Sequence, residues 1–174
     1  MSDSADRWLA SLTVEKSTYD SYYGSLERLW KPHFADRPIG TIRPSEIKAL
    51  IAQEAKSVSG KSVNNALIPL RGVFLAALDD EILDRSPTLN IRNLKHQSPR
   101  PDPFRVDEME TILADLYRRY DPQVGHWYEF AFGTGVRPSE QIVVRWGDVD
   151  WRDGTIRIER ARVRAVLKAT KTST

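Results

Sequence analysis

Arg137 and Glu140, three residues apart, are the pair in this sequence best suited to handling a phosphate. They lie in the stretch GTGVRPSEQIVVRWGDVDW, Gly133 to Trp151, where a glycine-containing turn is followed by the arginine and then by Pro138 opening a helix. An arginine held at such a point presents a two-pronged donor to a pair of phosphate oxygens, with Glu140 fixing its other nitrogens and Ser139 beside them. From residue types alone the plainer reading carries more weight, because an arginine before a helix is ordinarily a solvated surface group. Trp146 and Trp151 read as core or hairpin packing rather than as a binding platform.

Other chemistries are poorly provided for. The 174 residues contain no cysteine, which removes disulfide frameworks, thiol nucleophiles and cysteine-ligated zinc, and suits a cytoplasmic protein. His33, His96 and His126 are far apart and form no metal-ligand spacing, so no metal is expected. No Gly-rich phosphate loop is present, and no cofactor is expected. No apolar run approaches the roughly 18 to 20 residues of a membrane-spanning helix. The N-terminal MSDSADRWLASL lacks the basic and apolar regions of a secretory signal. The formal net charge of +2 conceals a gradient, since the last 25 residues carry seven basic and three acidic groups. Such a local basic patch is compatible with a phosphate-rich partner.

The elements that must position these residues fall into two parts. Over the first 85 residues the pattern is helical. A short helix is expected over Ser4–Leu12. A second starts at Lys16 to Thr18, places Tyr19, Tyr22, Leu26 and Leu29 on one face, and stops near Pro32. Pro44-Ser45-Glu46 opens a third, with Ile47, Leu50 and Ile51 inside. Ser59 caps a fourth that carries Val63, Leu67, Leu70, Phe74, Ala77 and Leu78; Pro69 is a misfit that would bend or break a helix, and the reading keeps one helix with a kink there. Asp84-Arg85-Ser86-Pro87 closes this region, and the prolines of 96–103 read as an extended linker. Helices are then expected over Val106–Tyr120, Pro122–Phe132 and Pro138–Trp146. After them the period becomes alternating, with a turn at Asp153-Gly154 and strands over Thr155–Glu159 and Arg162–Leu167.

The segment after residue 130 resembles the first catalytic box of the tyrosine recombinases, the phage-integrase family. That box reads T-G-[hydrophobic]-R-x-x-E, then an apolar helix, then R/K-W-x-D-[hydrophobic]-D. Thr134, Gly135, Val136, Arg137, Glu140, Arg145, Trp146, Asp148, Val149 and Asp150 occur in that order. Upstream, Ser17-Thr18-Tyr19, the phrase Ile42-Arg43-Pro44-Ser45-Glu46-Ile47, and Leu70–Phe74 leading to the Asp84–Pro87 exit resemble the family's core-binding domain. Val143-Val144, in place of a leucine-rich run, and Pro69 depart from the pattern without touching a catalytic position.

The resemblance implies a mainly α fold: a helical, SAM-like core-binding bundle of about four helices over residues 1–90, a linker over 91–103, and over 104–174 the N-terminal, incomplete portion of an α+β catalytic domain ending in a small β-hairpin. It implies a bacterial or phage-encoded protein of mobile elements, acting on double-stranded DNA, with self-association and, for the parent enzyme, a tetramer on DNA. In that family a tyrosine attacks a DNA phosphodiester, arginines stabilise the charge that develops, and a hairpin lysine protonates the leaving oxygen. Arg137 then corresponds to the first catalytic arginine, supported by Glu140, and Lys171 to the lysine, with Lys168 the alternative. The DNA-facing positions implied are Ser17, Thr18, Ser21, Ser25 and Arg28 on the second helix and Lys61, Ser62, Asn64, Asn65 and Arg71 on the fourth, where a solvated polar face is the plain alternative.

The family's second arginine, its histidines and its nucleophile have no counterpart. None of the three histidines begins an H-x-x-R, and all six tyrosines lie at or before Tyr128. The expectation is therefore a DNA-binding fragment that does not cleave by itself. A naturally short, non-catalytic regulator derived from an integrase and an all-helical protein-interaction module are the other readings. Coding sequence continuing into H-x-x-R and a later tyrosine separates the fragment from the regulator.

Overall fold

The computed structural model describes residues 1–163 and 166–169, and the chain divides into two units, Met1–Pro99 and Arg100–Thr174. The first unit is wholly helical. It comprises α1 (Ser2–Ser11), α2 (Lys16–Ser25), a π-helical turn (Leu26–Trp30), α3 (Lys31–Phe34), a 3-10 turn (Ile39–Thr41), α4 (Pro44–Glu54) and α5 (Gly60–Asp79). The helix starts follow from local chemistry. Ser59 Oγ accepts the Ser62 amide at 3.2 Å to open α5, and Pro44 fits the first turn of α4, where its missing N–H has no intrahelical partner to lose.

One core holds this unit together. Trp30, Phe74, Leu26, Ile47, Leu67, Leu70 and Val73 are completely buried in it; each large apolar side chain so buried contributes about 1.5–3 kcal/mol before conformational entropy is set against it. Gly72 lets α1 approach α5, since a Cβ there would fall 2.2 Å from the Trp8 ring. Pro69, a misfit within a pattern still read as one helix with a kink, lies buried inside a single helix. The proline ring crowds the preceding turn. One residue beyond the carbonyl that Pro69 leaves without its helical donor, the Trp30 indole donates to the Ala66 carbonyl at 2.8 Å and ties the helix to the core.

The second unit contains α6 (Val106–Arg119), α7 (Pro122–Thr134), α8 (Pro138–Gln141), a 3-10 turn (Trp146–Asp148), and four short strands, β1 (Val149–Asp150), β2 (Thr155–Ile156), β3 (Arg160–Val163) and β4 (Val166–Ala169). β1 pairs antiparallel with β2, and β3 with β4. α6 and α7 meet where Gly125 faces the Tyr117 ring. Among the described residues of this unit, no apolar side chain larger than alanine is fully buried.

The mainly helical fold ending in small antiparallel strands agrees with the reading of the sequence; several boundaries do not. The second helix, read as stopping near Pro32, continues through a π-helical turn and α3 and ends at Phe34, with Pro32 in the first turn of α3. The helix expected over Pro138–Trp146 closes after Gln141. Val143 and Val144 donate to carbonyls three residues back, Glu140 and Gln141, and Arg145 is already extended. The strand expected over Arg162–Leu167 straddles two strands, with Arg162 opposite Leu167 across the β3–β4 ladder. No helix of the described residues is long and apolar enough to cross a membrane.

Candidate functional site

The sequence from Thr134 to Glu140 makes its own geometry. α7 ends because Gly135 adopts a left-handed conformation, φ +66°, and donates its amide to the Ala131 carbonyl at 2.9 Å. Thr134 Oγ1 donates to the Phe130 carbonyl at 2.6 Å. Pro138 disfavours helical geometry in the residue before it, and Arg137 is accordingly extended at φ −70°, ψ 147° and caps α8.

Glu140 then reaches back to Arg137 twice. Its Oε2 accepts the Arg137 amide at 3.0 Å and its Oε1 accepts Nη1 at 2.8 Å. The two partners differ sharply in exposure: the Arg137 side chain is 72% exposed and that of Glu140 only 11%. The backbone N–H and, after it, the guanidinium of Arg137 hold the Glu140 carboxyl below the usual carboxylate range. A buried carboxylate is thus kept ionised and satisfied. Arg137 Nε and Nη2 have no partner among the described residues, so the outward edge of the fork is available to a ligand.

Asp148 repeats the device one turn later. Its Oδ2 accepts the Arg145 amide at 2.8 Å and pairs with the Arg160 guanidinium on β3, while its carbonyl accepts the Arg157 amide at 2.9 Å. Glu140, Asp148, Arg157 and Arg160 line one shallow cleft. Arg160 was not anticipated from the sequence; an arginine opening a short strand carries no local signal, and only the fold sets it against Asp148. Gln141 joins α8 to α7 through Nε2 and the Trp127 carbonyl at 2.7 Å, leaving its buried Oε1 without a partner among the described residues.

The lysine positions fare differently. Lys168 is half-buried on β4 directly opposite Ala161. Because side chains alternate along a strand, it belongs to the face of the hairpin opposite that of Arg160. Lys171 lies outside the described residues.

Of the helix-face positions, Ser25, Arg28 and Ser62 are brought together along one groove of about 300 Å³, with Leu29, Glu54 and Val58 beside them. Ser17 and Ser21 are exposed on α2 and Thr18 is half-buried; Lys61 and Asn65 are exposed on α5. Ser25 Oγ and Arg28 Nε both donate to carbonyls of their own helix, Ser21 and Gly24, at 2.9 and 3.1 Å. Asn64 and Arg71 do not join that face. Asn64 is buried, its Nδ2 donating to the Leu94 carbonyl at 3.0 Å and its Oδ1 accepting the Leu94 amide at 2.8 Å, and Arg71 Nη2 donates to the Ile91 carbonyl at 2.8 Å. They hold the segment that leaves the first unit. Among the described residues no group of histidines and carboxylates is arranged to hold a metal ion.

No family model matches the chain. It is 31% identical over 152 residues to the ICEBs1 integrase of Bacillus subtilis (strain 168), a match that takes in 82% of this chain and 39% of that protein. Among solved structures it is similar to the Tn1549 transposon integrase in complex with a circular intermediate DNA, with a TM-score of 0.77 and 19% identity over 97% of this chain and 56% of that one. A lambda integrase tetramer bound to a Holliday junction superposes with a TM-score of 0.78 at 20% identity, covering 96% of this chain and 49% of the other. The chain thus spans about two fifths of the curated relative and about half of these solved chains.

Proposed function

Because the chain belongs to the tyrosine recombinase, or phage integrase, family, we propose that it is the DNA-binding portion of a site-specific recombinase and that Arg137 engages the phosphate to be transferred. The observation that carries this reading is the Arg137–Glu140 pair. A nearly buried carboxylate takes one guanidinium nitrogen and the backbone amide, so the cation is fixed in place while its remaining donors stay open. Donors fixed before the reaction stabilise developing negative charge without a reorganisation cost, and removing one such donor lowers rates by about 10²–10³. In the complete recombinase Arg137 stabilises the charge on the phosphate attacked by a tyrosine, and a hairpin lysine, Lys171 or Lys168, supplies the proton to the departing 5′-oxygen.

The polar faces of α2 and α5 supply the duplex contacts of the first unit: Ser17, Thr18, Ser21, Ser25 and Arg28, with Lys61, Ser62 and Asn65. The convergence of Ser25, Arg28 and Ser62 on one groove supports this assignment. Small hydroxyls and amides suit phosphates and base edges, and the cations give the salt-dependent share of the affinity. Within the 174 residues there is no H-x-x-R and no tyrosine after Tyr128. The chain by itself binds DNA and does not transfer strands, and assembly into a tetramer on a recombination site belongs to the complete protein.

A fluorescence-anisotropy titration of the chain against a labelled 30-base-pair duplex, over a range of salt concentrations, tests this. Retention at low salt with a steep salt dependence is the expected result. Arg137→Ala should flatten the slope of log K against log salt by about 0.9, the share of one phosphate contact. No retention of any duplex at low salt would overturn the proposal in favour of a protein-interaction module.

A further inference from the structure

The segment that leaves the first unit is neither loose nor electrostatically neutral. Ile91 is buried in the core, and the two hydrogen bonds of Asn64 with Leu94 are those of a strand partner supplied by a side chain. Beyond them the chain crosses the first turn of α5. A Cβ at Gly60 would lie 3.4 Å from Leu94 Cβ, from His96 Cβ and from the Lys95 carbonyl, so the segment is in van der Waals contact with that position. Its charge is one-sided. No aspartate or glutamate occurs from residue 55 to 78 or from residue 85 to 101, whereas Lys61, Arg92 and Lys95 fall within those runs. All three are exposed, and none has an ion-pair partner among the described residues.

We propose that Asn64 is a latch that makes the segment from Ile91 to Lys95 part of the α5 surface, and that Arg92 and Lys95, with Lys61, bind nucleic-acid phosphates there. This rests on the DNA-binding reading and extends it from two helix faces to the exit strand, with Asn64 a positioning residue rather than a contact. Unpaired cations on a fixed backbone lose less conformational entropy on meeting a phosphate than cations on a free tether. With no ion-pair partner among the described residues, their charge stays uncompensated until a polyanion arrives. Acting through the backbone of Leu94, Asn64 affects DNA binding without carrying a charge.

The test uses the whole chain, a 30-base-pair duplex and the same salt series. Arg92→Ala with Lys95→Ala should flatten the slope by about 1.8, that of two phosphate contacts. Asn64→Ala should lose amide-exchange protection at Leu94 and also flatten the slope, although it removes no charge, while its far-UV circular dichroism stays that of a helical fold. A double variant whose slope matches the unaltered chain overturns the proposal, as does an Asn64→Ala variant that loses protection at Leu94 and keeps the full slope. If Asn64→Ala does not fold, the double variant at its exposed positions still decides. Failure of the unaltered chain to bind any duplex would refute the DNA-binding reading itself, and this inference with it.

Discussion

The two units use the same helix-starting chemistry and differ in what lies behind it. At Arg43, Arg105, Arg137 and Arg145 an extended arginine is followed three residues later by an acid whose carboxylate accepts the arginine's own amide at 2.8 to 3.0 Å. The motif is thus a local cap that recurs without regard to function. Burial separates the four. Glu46 and Glu108 are 37% and 47% exposed at the side chain, against 11% for Glu140 and 20% for Asp148. Covering the acid does not by itself fix the cation: of the four, Arg137 alone hydrogen-bonds its own guanidinium to the acid, while the covered Asp148 takes that of Arg160 instead. The units also differ in the core itself. The first encloses Trp30 and Phe74 completely, while in the second Trp146 and Trp151 stack on each other at 6.3 Å and remain 82% and 75% exposed.

Trp30→Ala and Trp146→Ala set the two units directly against each other. The former removes a wholly buried ring and its hydrogen bond to the Ala66 carbonyl, so urea unfolding should show a loss of about 3–5 kcal/mol. The latter should change stability by no more than about 0.5 kcal/mol. Equal costs would abolish the distinction.

A smaller difference is expected at two glycines. Gly72→Ala drives a methyl into the Trp8 ring, itself packed against Tyr22 at 5.7 Å, and should cost about 1–3 kcal/mol in thermal melts. Gly125→Ala meets the Tyr117 ring at 2.3 Å, but that ring sits at the surface beside His126 and can swing outward. Its penalty should be visibly less than that of Gly72→Ala.

The apolar groups left exposed in the second unit, among them Phe104, Val106, Trp127 and Tyr128, predict self-association. The mean mass seen by light scattering should rise with protein concentration. A monomer across the whole series would mean that these groups are harmless to solubility.

The mildest effect is on pH. The Glu140 carboxyl is lowered in the folded protein by the Arg137 amide and guanidinium, so the stabilisation it gives is present above the ordinary carboxylate range. It is lost as pH falls through the lowered value. The protection factor of the Arg137 amide, its exchange rate set against the intrinsic rate at each pH, should fall at acid pH, and the first unit's α4 cap, with its half-exposed Glu46 also lowered by Arg37, should respond alongside it. Glu140→Gln should remove the acid response at Arg137 alone.

Much of this molecule is written in short range. Ser59 before α5, Pro44 opening α4 and Gly135 after α7 mark helix ends through the acceptor they supply or the φ they adopt, and such signals need no knowledge of the fold. Pro69 is a local misfit that the apolar pattern of α5 outweighs, and the helix runs through it as one element. Misreadings arose where a partner from far along the chain intervened. Asn64 and Arg71 looked like surface readers of DNA because their carbonyl partners lie in a segment that composition marks only as a linker.

The sequence by itself determined that Arg137 would stand extended at a helix start with an acid one turn on, since Gly135, Pro138 and Glu140 impose that through backbone sterics and a local hydrogen bond. Tertiary structure alone decided that Glu140 is buried and Glu108 is not, that Arg160 closes on Asp148, and that Asn64 grips Leu94. Burial and long-range pairing depend on which surfaces are covered, a property of the packed chain that no window of neighbouring residues contains.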